Sequence, residues 1–153
     1  NELKNNKKPH KFSLLETSTG GKISEIFTVL PGASNHFNEG RILYSKNSQK
    51  QFLDSSSYPK SIVCQKMAEN LAIKMREISK TDLALAETSM LGPPSIEKKS
   101  PKNGLCYLAI AFRKEVKYKS LQLNPFLTRK EHQLLISIEA INWFVNILKR
   151  YIK

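Results

Sequence analysis

The sequence predicts an α/β fold, a three-layer α/β/α sandwich on a mixed sheet. Two observations lead there. Short apolar runs alternate with stretches whose apolar residues recur every three or four positions, the marks of strands and amphipathic helices. In the second half, three strand-like runs follow one another with no helix between them, which makes the sheet mixed. At 153 residues the chain can bury one real core and is too short for two domains.

The elements follow in order. Residues 1 to 10 are polar and are expected to be frayed or the end of a truncated helix; 11 to 153 form the domain. Lys11 to Glu16 reads as the first strand. Ile23, Ile26, Phe27 and Leu30 make a helical stripe that starts after Gly21 and stops at Pro31-Gly32. Arg41 to Ser45 is the second strand, Lys46 to Leu53 a short helix, and 55 to 59 a loop. Val63, Met67, Leu71, Met75 and Ile78 stripe a long helix. Asp82 to Thr88 is the third strand. Residues 91 to 104 hold three of the seven prolines and read as a long surface loop. Leu105 to Phe112 is strongly apolar, an interior strand, and Val116 to Leu123 alternates as a strand nearer an edge does. Thr128 and Glu131 form a capping box. Leu134, Ile138, Ile141, Val145, Leu148 and Ile152 follow as the expected buried stripe of the last helix.

Composition excludes some functions. No apolar run reaches the roughly 20 residues of a membrane span. The net charge of +12 is spread over the whole chain, with no aromatic-basic platform, so no dedicated nucleic-acid site is expected. Cys64 and Cys106 lie far apart in apolar stretches and read as buried free thiols of a reducing, cytoplasmic compartment. His10, His36 and His132 are too scattered to suggest a metal site, and no cofactor is expected.

Chemistry concentrates in E-T-S-T-G-G, residues 16 to 21, between the first strand and the first helix. Hydroxyls and glycines at a helix N-terminus suit an anion, because the first N–H groups are free and the helix dipole favours negative charge. A hydroxyl there can also become a nucleophile if a base lies near. The plain alternative is a cap and a tight turn.

This motif resembles the E-S-C-T-G-G of the CinA C-terminal domain family, which includes nicotinamide-nucleotide amidohydrolases. The resemblance continues in order along the chain. P-G-A-S-N-H-F-N-E-G-R-I-L-Y-S at 31 to 45 is similar to P-G-S-S-x-x-F-x-x-G-x-V-x-Y-S. M-A at 67 to 68 matches that family's long helix. T-D-L-A-L-A at 81 to 86 and L-G-P at 91 to 93 are similar to x-D-x-A-x-x and to the end of T-G-x-A-G-P. The resemblance implies the sandwich fold. It also implies hydrolysis of the carboxamide of nicotinamide mononucleotide, with a serine nucleophile, a tyrosine and a lysine base.

Carried over, the nucleophile position is Thr17, the tyrosine is Tyr44, and the lysine position is Gln49, which cannot take a proton. Lys46 and Lys50 are the neighbouring substitute bases, although one step along a helix turns Lys50 by about 100°. Ser18, Thr19, Gly20, Gly21, Thr88 and Gly92 are the implied ligand-binding positions, and the glycines after G-P are Pro94 and Ser95 here. The expectation is a degenerate site with weak or no turnover, or a non-catalytic domain that binds a nucleotide or a partner. The family's pattern also admits a homodimer.

Overall fold

A computed structural model of the chain describes residues 10–92 and 101–151. The stretch expected to be frayed lies outside those residues except for His10. Much of the expected loop, with Pro94 and Ser95, also lies outside them, as does Ile152.

Five strands form one sheet in the order β2-β1-β3-β4-β5. These are β1 (Phe12–Glu16), β2 (Phe37–Ile42), β3 (Leu83–Met90), β4 (Leu105–Ala111) and β5 (Val116–Gln122). β1 pairs in parallel with both β2 and β3, while β4 runs antiparallel to β3 and β5. The sheet is mixed because β4 reverses against both β3 and β5, with no helix in the described residues between these strands. The helices are α1 (Lys22–Thr28), α2 (Lys46–Phe52), α3 (Gln65–Ser79) and α4 (Arg129–Tyr151).

Each sheet face has its own core. On one, Ala84, Ala86, Ala109 and Ala111 present a low surface, and Met67, Leu71 and Met75 of α3 fill it. Small residues there let the helix approach closely, while the methionines take up the irregular space. On the other face, Leu14, Leu85, Leu108 and Ile110 pack under α1 and α4. Its centre is aromatic. Phe12 meets Phe27 and Phe144 at 4.9 Å between ring centroids, both at inclined angles, and stacks on Phe37 at 5.4 Å. Inclined and offset rings of this kind add stability beyond the area they bury.

Three sequence expectations need correction. β2 begins at Phe37, four residues before the expected start, and ends at Ile42, so Tyr44 and Ser45 lie beyond it. The stacking of Phe37 on Phe12 sets that start, a long-range contact that local propensity does not contain. The α4 stripe is also misplaced in part: Ile141 and Leu148 are half-buried against the core, but its leading residues are not. Leu134 is 50% exposed and Ile138 41%, whereas His132, Ile136, Ala140, Phe144 and Ile147 face the core. α4 carries apolar residues around most of its girth, so periodicity alone offers more than one face. Phe144 and the small Ala140 fit beneath the helix and select the face that is buried. Cys64, finally, is only half-buried: its Sγ accepts from Met67 N at 3.3 Å and caps α3, while Cys106 is buried, and both thiols are free. Among the described residues no helix is long and apolar enough to cross a membrane.

Candidate functional site

The turn after β1 sits at the C-terminal end of the parallel strands, where ligand sites of open α/β sheets form. Gly20 and Gly21 have φ of 65° and 98°, two consecutive left-handed residues that side chains would strain. They fold the chain back over its own strand end, which brings the Glu16 carboxylate beneath the start of α1. Oε2 accepts from Gly21 N at 3.0 Å, Ile23 N at 3.1 Å and Thr19 Oγ1 at 2.6 Å. Oε1 accepts from Ser24 N at 2.8 Å and Ser24 Oγ at 2.7 Å. The helix N–H groups expected to face an anion therefore do so, and the anion is the chain's own glutamate.

A second carboxylate enters from β3. Glu87 is fully buried. Its Oε1 accepts from Ser18 N at 2.9 Å, Ser18 Oγ at 2.6 Å and Thr19 N at 3.1 Å. Thr17 Oγ1 stands further off, 3.5 Å from Oε1 and 3.4 Å from Oε2. Burial raises the Glu87 carboxyl above the ordinary glutamate range; hydrogen bonds from Ser18 oppose this and the Glu16 charge adds to it. Burial, with a further push from Glu87, also raises the Cys106 thiol, which is thereby kept protonated and inert. Sequence reasoning missed Glu87. The available signal was its phase: residues 83, 85 and 87 share one side of a strand, and Leu83 and Leu85 point into the core.

The N-terminal half of α4 closes the rim. Arg129 Nη2 donates to Tyr44 Oη at 2.7 Å and its Nη1 donates to Gly92 O at 3.3 Å. One turn on, Gln133 Nε2 donates to Ser18 O at 2.9 Å. Tyr44 and Gly92, expected at the site, are thus held by Arg129, and Gln133, one turn on in the same helix, holds the turn; neither Arg129 nor Gln133 was expected there. The remaining positions are elsewhere. Thr88 Oγ1 donates to Ile62 O, and its strand phase is opposite to that of Glu87. Gln49 is buried, with Nε2 donating to Leu43 O at 2.9 Å and no partner for Oε1 among the described residues. Lys46 and Lys50 are exposed, and Lys50 lies over the Tyr58 ring at 5.5 Å.

His132 anchors this end of the fold. Nδ1 accepts from Gly92 N at 2.9 Å, so the ring proton is on Nε2, which donates to Asn124 O at 2.8 Å. At Gly104, with φ of 86°, a Cβ would lie 2.9 Å from Nε2, so the ring also leaves no room for a side chain there. His132→Ala strands the buried Gly92 N–H, frees the more exposed Asn124 carbonyl and opens a cavity. It is expected to cost about 3 kcal/mol and lower the unfolding temperature by roughly 6 to 12 °C. Calorimetry reads the shift, and one below about 2 °C contradicts this role.

A separate cavity of about 460 Å³, lined by Phe12, Phe27, Leu30, Phe37, Leu83 and other residues, opens at the N-terminal ends of the same strands. It is apolar and remote from the carboxylates.

Comparison with known proteins agrees with this architecture. The family model of the CinA C-terminal domain matches residues 2–148. A CinA-like protein of Geotalea uraniireducens is 32% identical over 134 residues, 86% of this chain and 31% of the relative. A putative competence-damage inducible protein of Clostridium kluyveri is 32% identical over 143 residues, 89% of this chain and 33% of the relative. The chain spans about a third of the length of these relatives. Among solved structures, the competence/damage inducible protein CihA from Agrobacterium tumefaciens superposes with a TM-score of 0.78 at 24% identity, covering 90% of this chain and 84% of that one. The competence or damage-inducible protein from Enterobacter asburiae gives 0.80 at 16% identity, covering 91% and 87%. The chain belongs to the CinA C-terminal domain family.

Proposed function

We propose that this chain is a nicotinamide mononucleotide deamidase of low turnover, hydrolysing the carboxamide to nicotinic acid mononucleotide and ammonia. The motif resemblance at 16 to 21 and at Tyr44 supports the reaction class. The observation that carries the low rate is Gln49. By the motif resemblance it stands at the position of the family's lysine base; its amide is held by Leu43 O and cannot accept a proton from a nucleophile. Lys46 and Lys50 are exposed and do not replace it. The Arg129 guanidinium, beside Tyr44, is a cation suited to the phosphate of a mononucleotide.

Loss of a general base costs about 10²- to 10⁴-fold in rate. Ammonia release from nicotinamide mononucleotide is therefore expected to be slow in the wild type and at least ~10-fold faster in Gln49→Lys. A second reading, binding without turnover, is favoured by one feature: Glu16 and Glu87 already engage the N–H groups of the turn. Thermal stabilisation by the mononucleotide with no ammonia from either protein would select it. Neither stabilisation nor ammonia would defeat both.

A further inference from the structure

The Thr19 and Ser24 hydroxyls are held by Glu16 under the start of α1. Of the two adjacent hydroxyls at the family's nucleophile position and beside it, Thr17 and Ser18, the one better placed to lose a proton is that of Ser18. Its Oγ lies 2.6 Å from Glu87 Oε1, a strong hydrogen bond to a carboxylate, whereas the Thr17 hydroxyl is 3.4 Å from its nearest carboxylate oxygen, beyond normal O–H···O length. Ser18 is 8% exposed and Thr17 only 4%. Ser18 also lacks the β-methyl that stiffens threonine and crowds its attack. Glu87 cannot swing away, because Ser18 N and Thr19 N both hold the same oxygen. We propose that Ser18 is the nucleophile of this chain and Glu87 its general base, a pair that replaces the absent lysine only in part, a carboxylate being the weaker base, and so leaves turnover low.

The proposal rests on the deamidase reading and supplies its proton path. As Ser18 Oγ attacks the carboxamide carbon, its proton passes to Glu87 Oε1. The C–N bond then breaks, and Glu87 returns the proton to the departing nitrogen, which leaves as ammonia. An ester of Ser18 remains. Water attacks that ester while giving a proton to Glu87, and the proton passes to Ser18 Oγ as the carboxylic acid departs. One amide and one water become one acid and one ammonia, with both residues restored. A base held above the ordinary carboxylate range suits this role, because it binds the serine proton more tightly than an exposed glutamate would.

The test is covalent labelling of the whole chain with diisopropyl fluorophosphate, located by peptide mass spectrometry. One label on Ser18 is expected, lost in Ser18→Ala and slowed by at least ~10²-fold in Glu87→Gln. The wild-type labelling rate should climb with pH as Glu87 deprotonates, and this profile stands even where Glu87→Gln fails to fold by circular dichroism. A label on Thr17, no label, a Glu87→Gln variant that folds and labels at the wild-type rate, or a wild-type rate that does not change with pH above the ordinary glutamate value each overturn the pair. Ammonia release without Ser18 labelling leaves the deamidase standing and removes this mechanism. Ser18 labelling without ammonia keeps the pair and removes the mononucleotide as substrate.

Discussion

Glu16→Gln is expected to lower the unfolding temperature by roughly 10 °C, a loss of about 3 to 5 kcal/mol. Both carboxylate oxygens of Glu16 accept hydrogen bonds and neither donates. Oε2 receives the N–H groups of Gly21 and Ile23 and the Thr19 hydroxyl; Oε1 receives the N–H and hydroxyl of Ser24. A glutamine must turn its NH₂ toward one of these sets, which sets donor against donor in a buried place. α1 has no side-chain cap at Gly21, so nothing else meets its first N–H groups in the same way. The variant should lose α1 before the rest of the domain, and hydrogen exchange at Ile23 and Ser24 should rise with it. A folded variant with wild-type protection at both amides would refute this account of the turn.

The stability of the wild type is expected to fall as pH rises above the ordinary glutamate value of 4.5, relative to Glu87→Gln. The folded chain raises the Glu87 carboxyl above its ordinary value of 4.5, chiefly by burial, so it binds the proton more tightly than the unfolded chain does. That contribution is complete below the unfolded value and is lost as pH climbs through the folded one, at about 1.4 kcal/mol per unit of separation. Glutamine cannot titrate, so the unfolding temperatures of the two proteins should diverge over this range in favour of the variant. Two other shifted acids do not confuse the comparison. A hydrogen bond from Tyr151 lowers Glu115, and one from the Thr128 backbone lowers Glu131, so their contributions fade only as pH drops below the ordinary range. Parallel curves above the ordinary glutamate value would show that Glu87 keeps one charge state throughout. The same titration should appear in the labelling of Ser18, which ties a stability measurement to a reactivity measurement at one carboxyl.

Local pattern was enough wherever the determining interaction lay within one element. Of the α3 stripe, Met67, Leu71 and Met75 are buried, because helical spacing puts those residues on one side whatever they face, whereas Val63 precedes the helix and Ile78, near its end, is 41% exposed. Gly20 and Gly21 marked the turn because their left-handed backbone is a property of the residues themselves. Pattern failed where two elements compete or meet. β2 starts earlier than local pattern predicts because Phe37 owes its position to Phe12, in another strand. The hydrogen-bonding part of the site was half legible: Thr17, Ser18 and Thr19 stood in the motif, but Glu87, Arg129 and Gln133 did not.

The sequence by itself determined a three-layer fold, a hydroxyl-rich turn at a strand end, and the absence of a lysine at position 49. Each follows from residue type and near-neighbour spacing, which folding does not alter. Only the tertiary structure decided what the turn holds. Parallel pairing of β1 with β3 places Leu15 opposite Ala86, and so delivers the next residue of β3, Glu87, to the end of β1 beside Ser18. Packing likewise chose the face of α4 that turns Arg129 and Gln133 toward the rim. Contacts between segments some 70 to 115 residues apart depend on register and packing across the whole sheet. No local period in the chain encodes them.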